Sequence, residues 1–390
     1  MLEKIINSVT SARKKLKRDI STLAFSAGLA FNVLMGTMET TQAQDYVPRE
    51  FEEPVLIEKN VSAISLASDL NENKLGIAYI FDYTMETSLG YTDLLNPEYN
   101  LKIISTNNVA GLCSLAFNPQ TSQPAIINGW DSFYSFDGAS WHSSIPSTYL
   151  SPRSLAFNPQ NNQPYIAATG GGEVLDLFLM NYDGANWNIE RLTTIDPTLD
   201  VSLKFNSKSE PCISFAAHRW ERYQNYYYNR NSFLSSDGLS IVDTSDAIFF
   251  GNSLAIDKKD IPHISYTDST NKLIKYSQWD GNKWQTEVID TSANGGTGLL
   301  LESQTDMPIL AYPSNYEIKL ATKVGNEWKK QIIGDYSDEL PDSTIYNLSI
   351  AMINTNKLVC VYNIGSRVYL IAEKRALERK SSTRNWQMYE

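Results

Sequence analysis

The apolar residues of this chain fall in short runs of four to eight, separated by polar turns. No run shows the 3.6-residue period of a surface helix, so the pattern predicts strands throughout. The runs also repeat. Ser114-Leu115-Ala116-Phe117-Asn118-Pro119-Gln120 recurs as Ser154-Leu155-Ala156-Phe157-Asn158-Pro159-Gln160. Looser copies stand at Ser65-Leu66-Ala67, Ser202–Asn206, Ser253–Asp257, Leu299–Leu301 and Ser349–Ala351. Their starts are 49, 40, 48, 51, 46 and 50 residues apart, a period that marks a repeat architecture.

Each unit continues alike. A polar turn, often with Pro (Pro124, Pro164, Pro211, Pro262, Pro308), leads to a second apolar run. A third run ends in Asp-Gly with Trp three residues later, as in Asp137-Gly138…Trp141, Asp183-Gly184…Trp187 and Asp280-Gly281…Trp284. Asp-Gly marks a tight hairpin because Gly supplies the positive φ of the turn. A fourth run then alternates polar and apolar, as an outer strand does. Four short strands per unit, seven times over, predict an all-β fold: a seven-bladed β-propeller of four-stranded antiparallel blades. Unit seven has only three runs of its own. The orphan run Pro54–Glu58 is expected to supply its fourth strand and close the ring, in preference to Asn385–Met388.

Residues 1–43 read differently. A basic stretch, Arg13–Arg18, precedes an apolar run from Leu23 to Met35, and Thr41-Gln42-Ala43 offers small residues at a cleavage site. This is the order of a secretory signal, and the run is too short for a membrane span of ~20 residues. The expected organisation is a signal over 1–43, the propeller over 44–372 and a charged tail over 373–390. Secretion, to the periplasm or the cell surface, follows.

The formal charge is −11. Loss of 1–43 would leave 27 basic against 41 acidic residues, or −14. A nucleic-acid partner is therefore not expected, since phosphate binding calls for a basic face. Cys113, Cys212 and Cys360 lie in or beside apolar runs and read as free buried thiols.

The Ser-Leu-Ala-Phe/Ile-Asp/Asn, Pro-x-Ile-Ser-Tyr and Asp-Gly-x-x-Trp pattern resembles bacterial sialidase-like (BNR, or Asp-box-related) repeat propellers. Unit 253–290 carries it most fully. The resemblance implies the propeller fold and leaves function open, because such propellers include glycosidases and lectins. The Asp-box spacing Ser-x-Asp-x-Gly is missing. The turn motif therefore reads as structural: Asp caps, Gly turns, Trp packs between blades. Sialidase-type catalysis, by the same resemblance, needs three arginines, a Tyr–Glu pair and an acid Asp. The seven repeat units offer only Arg153, Arg191, Arg219, Arg222, Arg230 and Arg367, with no transferable triad. No catalytic residue, metal site or cofactor is assigned: His142, His218 and His263 fall at different phases of different units.

What remains is variation between units. Unit one is extended over 81–100, and unit four carries an aromatic, Arg-rich stretch over 218–230. Arg219, Trp220, Arg222 and Tyr223 are the leading candidates for ligand contact, since flat rings stack on sugars and Arg forks onto acceptors. Trp130, Asp131 and Asp268 are smaller candidates on the same face. Tyr226–Tyr228 read equally well as a third strand. The expected function is non-catalytic binding of a glycan or protein partner. The alternatives are a scaffold in an exported assembly and a sialidase-like glycoside hydrolase.

Overall fold

In the computed structural model, Val55–Lys59 pairs antiparallel with Arg367–Ala372, so the chain's beginning completes the blade at its end. The structure describes residues 47–374, apart from 70, 72, 84–85, 96–100, 107–110, 130–131, 148, 172–174, 194–196, 222–225, 245–248, 338–344, 346 and 354–355. The signal expected over 1–43, the rival closing strand at 385–388 and most of the charged tail lie outside them. Residues 47–390 form one compact unit. It is built of seven four-stranded antiparallel sheets, each in sequence order from inner to outer strand except the seventh. There the outer strand is the N-terminal one, as the orphan run predicts. The described residues contain no helix.

The inner strands are Val61–Asp69, Cys113–Phe117, Leu150–Phe157, Pro197–Phe205, Phe249–Ile256, Gly298–Leu301 and Leu348–Met352. Each packs on the next, and the last packs on the first. Seven apolar clusters hold the ring, each made by two consecutive blades. The strand pattern explains why. Second strands such as Pro124–Asn128, Pro262–Asp268 and Leu358–Ile364 are buried on both faces. Outer strands such as Trp187–Thr193 are largely exposed.

The repeated serine has a specific task. Ser65 Oγ accepts the Leu115 N–H at 3.0 Å, and the same bond recurs from Ser114 to Leu155, Ser154 to Leu203, Ser202 to Leu254 and Ser253 to Leu299. Each serine thus stitches its inner strand to the next blade. The bonds also set the repeat phase. Unit six begins at Gly298, one residue before the Leu299 that the sequence pattern picks out; glycine there lacks the hydroxyl that marks the other units.

The inner hairpins share a second device. Asn73, Ser122, Asn162, Ser209, Asp260, Asp306 and Asn356 all have positive φ, one in each blade. Short polar side chains tolerate this region best among non-glycine residues. The preceding Asn118, Asn158, Asn206 and Asp257 cap the same turns by accepting backbone N–H groups.

The Asp-Gly-x-x-Trp turns are structural, as their chemistry implies. Asp137, Asp183 and Asp280 each accept two backbone N–H groups of their own turn. These bonds hold all three carboxyls below the usual range, with Gln285 adding the largest pull on Asp280. Each Trp meets an aromatic ring of the preceding blade edge-on: Trp141 on Tyr91, Trp187 on Phe133, Trp284 on Phe233 and Trp328 on Tyr276.

Candidate functional site at the ring centre

The inner strands run from the face that carries the blade-to-blade connections toward the face of the inner hairpins. Their first residues therefore ring the channel mouth on the former face. Most of these positions are apolar or glycine. The exceptions cluster. Arg153 and Asn252 stand immediately before the repeat serine of blades three and five, and Thr297 before Gly298 in blade six. Asp200 and Asn347 stand one residue earlier, in blades four and seven. Register shifts near the start of the inner strands of blades three, four and five accompany three of them. A bulge there turns an extra side chain out of the ladder.

Asp200, Asn252, Thr297, Asn347, Ser65 and Ser349 line a cavity of about 170 Å³ on the ring axis. Its wall depends on Gly251, at φ +64°: a Cβ there would stand 2.5 Å from the Gly296 Cα. Thr297 Oγ1 donates to the Gly251 carbonyl at 2.7 Å and lies 2.8 Å from the Ser265 hydroxyl, which fixes this side. Asn347 Nδ2 donates to the Ser62 carbonyl and lies 3.3 Å from Asn363 Oδ1. Asn252 differs from both. Its Oδ1 and Nδ2 are buried and make no hydrogen bond among the described residues.

Charge at the mouth is arranged around Asp200. Burial pushes its carboxyl above the usual range, against the pull of the Gly251 backbone and the Arg153 charge. Burial lowers the Arg153 guanidinium in turn, while Asp200 supports it. Arg153 Nε donates to Thr169 Oγ1 at 2.9 Å, which orients the group. The site therefore offers a carboxyl shifted toward its protonated form, an amide with both ends uncommitted, hydroxyls and a guanidinium. Such a set suits polyhydroxylic ligands.

The residues singled out from sequence are placed differently. Unit four's stretch is a strand-paired hairpin, not a loop: Pro211–Glu221 and Tyr226–Ser235 pair as far as Glu221↔Tyr226. The third-strand reading of Tyr226–Tyr228 holds. Arg219 and Trp220 sit opposite Tyr228 and Tyr227 on this hairpin. Arg222, Tyr223, Trp130 and Asp131 lie outside the described residues. Asp268 is fully buried; it caps Asn271 and lies 3.0 Å from Lys275 Nζ.

Unit one's extension is corrected too. Lys74–Tyr83 and Glu86–Asp93 are paired strands, with Phe81 and Tyr91 buried in blade packing. The outer strand Lys102–Ser105 follows them, and residues 96–100 of the extension lie outside the described residues. The central residues were missed because each is a single departure within a repeated column. Arg153 alone drew notice, as an arginine at a unit's entrance.

No protein-family profile matches the chain, and no curated protein matches it. Solved structures do. An ulvan lyase of polysaccharide lyase family PL25 superposes with a TM-score of 0.58 at 9% identity, covering 83% of this chain and 94% of that one. The propeller domain of Myceliophteria thermophila Cps50 (Swd1) gives 0.51 at 9% identity, covering 81% and 98%. The polysaccharide lyase Uly1 gives 0.50 at 8% identity, covering 86% and 94%. At these identities the likeness is one of fold.

Proposed function

We propose that this chain is an exported glycan-binding propeller whose central cavity takes one sugar of a longer chain. The observation that carries the reading is Asn252. A buried amide with neither end paired is costly, and this one lines a small polar cavity on the ring axis. Asp200, Thr297 and Asn347 add polar groups to the lining of the same cavity. The polysaccharide lyases among the structural neighbours support a glycan as the ligand class. The basic-then-apolar order of residues 1–43 supports export. On this reading the hairpin residues Arg219, Trp220, Arg222 and Tyr223, with Trp130 and Asp131, contact the sugars that follow the one in the cavity. Asp268, already committed to Lys275 and Asn271, takes no part.

The test is titration of the chain with a panel of soluble polysaccharides and their oligomers. Asn252→Ala is expected to weaken binding about tenfold or more, and Trp220→Ala with Tyr223→Ala to weaken only the longer oligomers. Binding indifferent to Asn252→Ala, or absent for every glycan, would overturn the reading.

A second reading is favoured by Asp200. A carboxyl held toward its protonated form beside an arginine is a group able to deliver a proton. Lyase-type cleavage of an acidic polysaccharide would then be expected, seen as the ultraviolet absorbance of an unsaturated product. It should disappear in Asp200→Asn while binding persists.

A further inference from the structure

Below the mouth, the inner strands of the seven blades carry few charges. Their full complement is Asp69, Arg153, Asp200 and Lys204. Asp69 sits at the far end of its strand and accepts the Asn71 N–H. Lys204 is the unusual one. It occupies the position filled by Ala67, Ala116, Ala156, Ala255 and Ala351 in five other blades. It lies two residues from Ser202 and so on the same face of the strand, the face that meets blade five; the matching alanines pack against the inter-blade clusters, and the longer lysine reaches past that position. Its side chain is open to solvent, yet burial among the surrounding blades lowers its pKa, and no carboxylate acts to raise it. Both hold if water reaches the ammonium only along the channel. Lys204 makes no ion pair or hydrogen bond among the described residues.

The wall around it consists of donors. Ser65, Ser114, Ser154, Ser202 and Ser253 each use an oxygen lone pair to accept a backbone N–H. Their hydroxyl protons find no acceptor among the described residues, and all five side chains are partly exposed. Arg153, next to Ser154, spends only its Nε, on Thr169; its two Nη groups have no partner among the described residues. Asp200, four residues before Lys204, is about 13 Å away along the strand. The channel thus holds one cation that no carboxylate supports, Lys204, and a ring of hydroxyl donors, with Arg153, whose charge Asp200 supports, nearer the mouth. This lies inside a chain whose net charge is −11.

We propose that the channel, at the level of the serine ring and Lys204, is a binding site for an oxyanion: sulfate, phosphate or a carboxylate. The donors are the serine hydroxyls, the Lys204 ammonium and the Arg153 Nη groups. The site lies below the sugar cavity at the mouth; it shares Ser65 with that cavity but does not use Asn252.

The experiment is calorimetric titration of the full chain with sulfate and with phosphate, at constant ionic strength set by chloride. Glucuronate, glucose 6-sulfate and glucose follow. The wild type is expected to bind the oxyanions. Lys204→Ala, which installs the residue five other blades carry and so should fold, is expected to lose at least about tenfold in affinity. Lys204→Arg should retain binding, and Arg153→Asn should weaken it. Tighter binding of glucuronate or glucose 6-sulfate than of free sulfate identifies the anion as sugar-borne; the reverse identifies a free ion. No oxyanion binding by the wild type, or equal affinity in Lys204→Ala, overturns the proposal. Asn252→Ala separates the two sites: it should remove glucose-type binding at the mouth and leave sulfate binding intact.

Discussion

Arg49 and Glu373 stand 324 residues apart in sequence, and Arg49 Nη1 lies 2.8 Å from Glu373 Oε2. The same guanidinium reaches Glu302 at 3.1 Å, and its Nη1 also donates to the Asn356 carbonyl. Arg49 N–H donates to Gln331, whose amide returns a bond to the Arg49 carbonyl. Glu373 also receives Lys357 and the Leu358 N–H. The segment before the closing strand is therefore locked across blades six and seven. The ring closes inside blade seven, where Val55–Lys59 is held to Arg367–Ala372 by hydrogen bonds and packing alone, with no covalent link across that pair.

Removing Arg49 should open this lock. Arg49→Met leaves the largely buried Glu302 without its cation and Glu373 with Lys357 alone, at a cost of about 3 kcal/mol. Urea unfolding should show it as a lower midpoint. A loss below about 0.5 kcal/mol would mean that the bond is a surface ornament.

The lock should also be acid-sensitive. Burial alone would raise the Glu373 carboxyl, but Lys357, the Leu358 N–H and Arg49 outweigh it and hold it below the usual range. A depressed folded-state pKa adds stability above the unfolded value, about 4.3 for Glu. That stability is lost as pH falls through the folded value. The wild-type melting temperature should fall steeply below about pH 4, and the fall should be shallower in Arg49→Met. Parallel curves would place the acid sensitivity elsewhere.

Much of the ring was legible in the sequence because the same physical demand recurs in each blade. Ser154 and Ser202 repeat since each must stitch to Leu203 and Leu254. Asp183 and Asp280 repeat since each turn needs the same cap. Even the closing strand could be read, as a run left over when unit seven ran short. The central site could not. Asp200, Asn252, Thr297 and Asn347 come from separate units and meet only at the channel mouth, so no local spacing joins them. Aromatic residues misled in the opposite sense. Tyr91 fell within an extension read as variable loop, but β-propensity and blade packing account for its place in a strand, as they do for Tyr226–Tyr228, which read equally well as a strand.

A buried cluster that the sequence did not announce joins blades four and five. Tyr266 donates to Asp243 Oδ2 at 2.9 Å, and Lys275 Nζ lies 2.9 Å from Asp243 and 3.0 Å from Asp268. The motif recurs between blades five and six, where Tyr312 and Lys319 meet Asp290. Lys275→Met should strand two carboxylates and cost about 3–5 kcal/mol. Tyr266→Phe, which leaves Asp243 its lysine, should cost about 1–2 kcal/mol. Denaturant titration of both variants checks the order, and a costlier Tyr266→Phe would refute it.

The three thiols give a test of the ring as a whole. Cys113, Cys212 and Cys360 are free and buried, each beneath a different blade interface. Burial pushes the Cys113 and Cys212 thiols up to about 12 and raises Cys360 as well. Attack on a disulfide reagent requires the thiolate. At neutral pH the native chain should therefore show no reactive thiol, and all three should react in denaturant. Their native-state labelling rates then report which interface opens. Cys360 packs between blades six and seven, where Arg49 holds the closure, and Arg49→Met should accelerate its labelling selectively. Equal acceleration at Cys113, on the interface of blades one and two, would mean that the ring loosens as a unit and that closure has no privileged seam.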